Sequence, residues 1–242
     1  MKSAYIPLLG ALLSLPLGAQ VPDRVATVTG VAINRSDLAA GARGTAAEAR
    51  LLELLWPRIA SDFVAAHGLA ASPAEIEEAL AYHRAFERSD RAQRARKLEE
   101  LGERLAEAEL APEERARLED FQATLRRLAQ ADRERAETPA LSTMQRRAPM
   151  GPWIEMWKLN RALYQRYGGV VGRVGWGHWP HGARAALIAD YERLGLLEFA
   201  DPGLRERFYA MLRRPPPMTV PPDRVDFTPY WKRPIPPSYF PD

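Results

Sequence analysis

A mainly α-helical fold is predicted, carrying one small β-hairpin and one long charged helical hairpin. Three features predict it. Apolar residues recur at three- and four-residue spacing in successive segments, each behind a helix-start signal. Two short β-branched runs flank Thr29-Gly30 near the start of the chain. A long, highly charged stretch between Pro73 and Glu137 keeps only a narrow apolar stripe.

The chain ends and composition bound the function. Lys2, an apolar run from Tyr5 to Leu17, and then Gly18-Ala19 read as a secretory signal peptide over 1–19, cut after Ala19. A periplasmic or secreted protein without a stable membrane anchor is expected. Arg outnumbers Lys and Ala is abundant, as in a GC-rich bacterial genome. With 242 residues and Cys 0, the fold must rest on packing. A thiol nucleophile, a Cys-ligated zinc site and an iron–sulfur cluster are excluded. The net charge is +3, from Lys+Arg 34 against Asp+Glu 31, with the signs interleaved. A nucleic-acid binder segregates its basic residues, so no nucleic-acid partner is expected.

The hairpin comes first. Val25, Val28, Val31 and Ile33 surround Gly30, which takes the positive φ of a tight turn. A hairpin this short is marginal alone and needs support. Asn34 with Asp37, Thr45 with Glu48, and Ser72-Pro73 with Glu75 are capping signals for three helices. Leu52, Leu55, Trp56, Ile59 and Phe63 line one face of the second helix. Pro57 is expected to kink it or reset its start, and Gly68 to end it.

From Pro73 a helix is expected to about Leu110, with Ile76, Ala79, Leu80 and Phe86, then Leu98, Leu101 and Leu105. Pro112 restarts a partner with Leu118, Phe121, Leu125 and Leu128. Pairs such as Glu87/Arg91, Asp90/Arg94, Glu100/Arg104 and Glu113/Arg117 each add roughly 0.2–0.5 kcal/mol. The result is a protruding antiparallel arm: a solvated charged surface, or a clasp for a client, or a contact for a homodimer.

Residues 138–152 read as a linker. Trp153, Met156, Trp157, Asn160, Leu163, Tyr164 and Tyr167 then mark an amphipathic helix closed by Gly168-Gly169. A third short strand is expected at 170–174, paired with the opening hairpin. Residues 183–199 read as one helix, and Asp201-Pro202 starts another. The proline-dense tail, 215–242, is expected to be extended or polyproline-like, either wrapping the body or free; its aromatic residues favour wrapping. The organisation is thus a signal peptide at 1–19, a helical core with hairpin at 20–83, an arm at 84–137, and a linker at 138–152. C-terminal helices over 153–214 complete the core, and the tail follows at 215–242.

The stretch "VATVTGVAINRSDL" resembles the start of the SurA-like N-terminal chaperone domain found in front of parvulin-type prolyl isomerases. "LLELLWPRIASDFVAAHGLAASPAEIEEAL", Leu51 to Leu80, is similar to the family's helix, glycine, short link and capped next helix. Gly68, Leu69, Ser72, Glu75 and Ile76 keep that pattern. Thr29 stands where the turn usually has Asn, Val31 where a polar residue is common, and Pro57 is unusual. No parvulin catalytic domain is recognisable; "GRVGWGHWPHG" only echoes one of its motifs at Gly175-Trp176. The resemblance implies a periplasmic helper that holds unfolded envelope proteins in an apolar groove, its core completed by a helix from the far end of the chain.

Catalytic and metal chemistry finds little support. His178 and His181 are three apart, but Pro180 disfavours a helix across them and no carboxylate is near in sequence. His67 reads as a cation at a helix C-terminus. "GGVVGRVGWG" fits neither phosphate-binding glycine pattern. No catalytic residue, metal or cofactor is expected. Trp56, Phe63, Trp153, Trp157, Tyr164 and Tyr167 fall on two helices expected to pack together. They are core residues or the lining of a groove for extended apolar peptides. The function expected is a holdase binding unfolded polypeptides without catalysis. A divergent prolyl isomerase and a docking factor for one envelope partner stay as alternatives.

Overall fold

The computed structural model describes residues 23–40, 46–137, 149–175 and 177–236. The signal-peptide reading, Thr45, Trp176 and most of the 138–152 linker lie outside them. The fold is mainly helical, with a small N-terminal β-hairpin and a long charged antiparallel helical hairpin.

The hairpin pairs β1 (Arg24–Val28) with β2 (Val31–Asn34), in register Val28↔Val31 and Ala26↔Ile33. Both turn residues take positive φ, Thr29 at 46° and Gly30 at 79°. That is the sense of turn a two-residue hairpin requires, and Thr29 adopts it despite its branched Cβ. α1 (Arg35–Ala39) follows directly, its start closed by a capping box in which Asp37 accepts from the Asn34 N–H at 2.7 Å.

α2 (Ala47–Ala66) is one helix with Pro57 inside it. Gly68, at φ 60°, ends it. α3 (Pro73–Ala106) opens on the Ser72/Glu75 capping box. At 34 residues it is about 50 Å long, and it stops short of Leu110. α4 (Pro112–Glu137) runs back along it. Arg94 bonds Asp90 on its own helix and Asp132 on α4, while Arg104 reaches Glu114, which fixes the antiparallel sense. Arg115 donates to the Leu105 and Glu107 carbonyls at 2.7 and 2.8 Å and closes the turn.

After the linker come α5 (Met150–Tyr167), β3 (Val171–Val174), β4 (Gly177–Trp179), α6 (His181–Arg193), β5 (Leu197–Phe199), α7 (Pro202–Leu212) and β6 (Thr219–Val220). The expected third strand exists, but its expected partner is wrong. β3 pairs with β4 and β6, not with the opening hairpin. The hairpin is completed by β5, with Ala26↔Phe199 and Val28↔Leu197. Residues 183–199 are therefore not a single helix. Gly195, at φ 71°, ends α6 and turns the chain into β5, where Leu196 O accepts from Thr29 N at 2.7 Å. α7 starts as expected, with Asp201 Oδ1 accepting from Leu204 N at 2.9 Å.

One large apolar cluster joins both ends of the chain. Val25, Val28 and Ile33 of the hairpin meet Leu51, Leu55, Ile59 and Phe63 of α2. Leu159 and Leu163 of α5, Leu187 and Ile188 of α6, Leu197 of β5, and Leu204 and Phe208 of α7 complete it. A smaller cluster of Ala79, Ile154, Trp157 and Trp231 lies between α3, α5 and the C-terminal segment.

Candidate functional site

Trp153, Trp157, Asn160, Tyr164 and Tyr167 follow one another at alternating four- and three-residue steps on α5, so they form one stripe of the helix. Two ties hold this helix against the start of α3. Lys158 Nζ donates to the Ala70 carbonyl at 2.8 Å and to Glu75 Oε2 at 3.1 Å. Glu155 accepts from Ala71 N at 3.3 Å. Burial alone would push the Glu75 carboxyl up; the Ser72 N–H and hydroxyl and the Lys158 ammonium outweigh it and hold the carboxyl below the ordinary 4.5.

The C-terminal segment crosses this stripe. It leaves β3 at the Val171↔Val220 pairing. Asp226 N then donates to His178 Nδ1 at 3.0 Å, and the Phe227 ring sits 5.2 Å from Tyr164. Asp226 staples the turn, accepting from Thr228 N at 2.7 Å and from Arg233 at 2.8 Å. A 3-10 turn at Tyr230–Lys232 plants two rings on the smaller cluster. Trp231 stands edge-on to Trp157 at 6.1 Å, and Tyr230 lies 6.3 Å from Trp157 and 5.7 Å from Tyr82. The Tyr230 hydroxyl and His83 Nε2 share a hydrogen bond of 2.5 Å. Lys232 binds Glu78 through both carboxylate oxygens, at 2.5 and 2.6 Å, and Gln93 Nε2 donates to the Pro236 carbonyl at 3.2 Å. Either side of the 3-10 turn the backbone is extended, with Pro229 at φ −58°, ψ 141° and Arg233 at φ −94°, ψ 151°.

Two polar atoms in this region have no hydrogen-bond partner among the described residues: Asn160 Oδ1 and Trp231 Nε1. Asn160 is 5% exposed and Trp231 6%, so bulk solvent does not reach either side chain.

The six aromatic residues singled out from the sequence fall in different places. Trp157 and Tyr164 lie under the C-terminal segment. Trp153, at the other end of the stripe, is 50% exposed. Tyr167 packs on the large cluster and its hydroxyl donates to Asp190 Oδ2 at 2.8 Å; burial, and then that bond, raise its pKa. Phe63 is inside the large cluster, stacked on the His67 ring at 3.9 Å. Trp56 covers a cation instead: the Arg184 guanidinium lies 3.9 Å from its ring centre and 4.4 Å from that of Trp179. Burial lowers the Arg184 pKa to about 10, and its Nε has no hydrogen-bond partner among the described residues. Sequence reasoning named Asn160 only as part of a helix face and did not single out Glu78, His83 and Gln93, which bond the segment. The helical spacing of Asn160 with Trp157 and Tyr164 is the signal that could have found it.

The histidines do not converge. His178 accepts from Asp226 N, and His181 Nε2 donates to the Leu212 carbonyl at 2.9 Å. Among the described residues no group of His, Asp and Glu could hold a metal ion, and no helix is long and apolar enough to cross a membrane. An open concavity of about 630 Å³ between α6 and α7 is lined by Glu192, Arg205 and Tyr209 among others. Three of its polar groups are joined to one another: Glu192 takes Arg205 at 2.5 Å and the Tyr209 hydroxyl at 2.8 Å. Burial and that hydroxyl bond raise the Tyr209 pKa. The concavity includes none of the six aromatic residues.

Comparison of the chain with protein-family models, with curated proteins and with solved structures finds no match.

Proposed function

We propose that the chain is an exported holdase-type module that binds extended apolar segments of unfolded envelope proteins on α5 and the first half of α3, without catalysis. One observation carries this reading. The face that α5 and α3 present is already occupied by a largely extended, proline-containing peptide, residues 225–236 of the same chain, held by ring contacts and a few side-chain bonds. A face that takes such a peptide has the chemistry a client needs: aromatic walls that tolerate varied apolar side chains, with charged and amide groups at the rim. The resemblance of Val25 to Leu80 to the SurA-like domain supports the same reading, and residues 2–19 support export.

The test is dilution of a denatured outer-membrane protein with and without the mature chain from Gln20, following light scattering. Prolyl-peptide isomerisation is run on the same preparation. Suppressed scattering at modest molar excess, without isomerisation, is expected. Unchanged scattering at large excess would reject the holdase reading.

A further inference from the structure

The same segment shows what ligand the face would prefer. It crosses α5 from Phe227 on Tyr164 to Tyr230 and Trp231 on Trp157. Between those contacts α5 carries Asn160, whose buried Oδ1 accepts no hydrogen bond. The stretch of segment between them is Thr228-Pro229. Thr228 has already given its N–H to Asp226 Oδ1, and Pro229 has none. Trp231, meanwhile, buries an indole N–H with nothing to receive it. The segment therefore fits the face by its rings and falls short by two hydrogen bonds. A buried acceptor on a helix face that an extended peptide crosses can fix that peptide, because every non-proline residue brings an N–H.

We propose that residues 225–236 are an internal competitor in a peptide-binding groove. The groove's ligand in trans is an extended polypeptide segment with an aromatic residue, two residues of which the second donates its N–H to Asn160, then an aromatic pair and a basic residue opposite Glu78. This rests on the holdase reading for the site but not for the general activity. A chain with no effect on aggregation could still bind such a peptide, and a holdase acting elsewhere on its surface would not. Proline at the second position, and the uncompensated indole, keep the internal copy weak enough to be displaced.

The probe is a fluorescently labelled synthetic peptide of residues 225–236, in its own sequence and with Pro229→Ala, titrated by anisotropy. The full chain is used as the wild type and as the double variant Tyr230→Ala/Trp231→Ala, with folding checked by circular dichroism. Removing the competitor's rings should raise peptide affinity by about tenfold or more, since the open state no longer has to be populated against it. The Pro229→Ala peptide should bind about three- to tenfold more tightly than the parent. That advantage should vanish in chains carrying Asn160→Leu, which isolates the hydrogen bond from the added flexibility of the peptide. In the wild-type chain, the Pro229→Ala peptide should also speed amide exchange over residues 230–236, a readout that does not depend on the double variant folding. Equal affinity of wild type and double variant, or binding that leaves exchange in the segment unchanged, would overturn the proposal. So would concentration-dependent dimers that bury the segment of one copy in the groove of another, because the ligand would then be a second copy of the chain.

Discussion

The large cluster beneath the β2-β1-β5 sheet is closed by many side chains, mostly aliphatic, from elements at both ends of the chain. The smaller cluster on α3 and α5 is closed by two rings of a single irregular segment. In the first, Leu55, Ile59, Ile188 and Phe208 are fully buried and strand pairing consumes the backbone groups. In the second, ring edges meet at five to six ångströms, polar atoms go without partners, and the lid is tied down by exposed charges such as Lys232 and Glu78. The difference sets a region packed to hold the fold against one whose cover is the proposed internal competitor.

The sharpest way to break that contrast is to empty each region in turn. Phe208→Ala should cost about 3–5 kcal/mol of global stability, read from denaturant midpoints. Trp231→Ala should cost the whole molecule only about 1 kcal/mol, because the loss is capped by the free energy of docking the segment. Its effect should appear instead as faster amide exchange confined to residues 225–236. If both variants shift the midpoint equally, the segment is part of the core and the contrast fails.

Arg184 asks whether an unpartnered polar atom always marks an opening region. It sits at the edge of the large cluster, between two indoles that offset its lost solvation. Arg184→Met keeps an apolar stem between the rings but removes the guanidinium and its cost of desolvation, and should leave stability within about 1 kcal/mol of wild type. A loss as large as that of Phe208→Ala would show that the cation is structural in its own right. Glu75 sharpens the comparison at the tie between α3 and α5. Its carboxyl is held below the ordinary value in the folded chain, so its contribution is present above about pH 4.5 and is lost as the pH falls through the folded value. The stability difference between wild type and Glu75→Gln should therefore shrink on acidification below pH 4.5, in urea melts taken at stepped pH. The smallest effect is expected at the hairpin. Thr29→Asn should raise stability by about 0.5–1 kcal/mol, because Asn accepts positive φ more readily than a β-branched residue.

The signals that were legible in the sequence were local ones. Asn34 with Asp37, Ser72 with Glu75, and Asp201 with Pro202 each satisfy backbone groups within one turn, and each marks a helix start where expected. Strand 171–174 was also legible, from its β-branched ends between glycines. Its partner was not, because pairing is non-local and the strand that completes the hairpin is only three residues long. Leu194, Leu197 and Glu198 continue the helical period of α6, and only Gly195 betrays the stop. For the site, tail aromatics predicted wrapping, and Phe227, Tyr230 and Trp231 do wrap. Which side of which helix they cover was not legible, since the period of α5 names its apolar stripe without saying what lies on it.

The pairing of β1 with β5 also sets the order in which the molecule can assemble. As the chain emerges N-terminus first, the first strand appears long before its second partner, so the sheet over α2 stays incomplete until Phe199 has emerged. Residues 225–236 come later still. Until they do, α5 and α3 lack that cover, and an incomplete copy of this chain would itself present the kind of exposed aromatic surface that the finished molecule is proposed to bind.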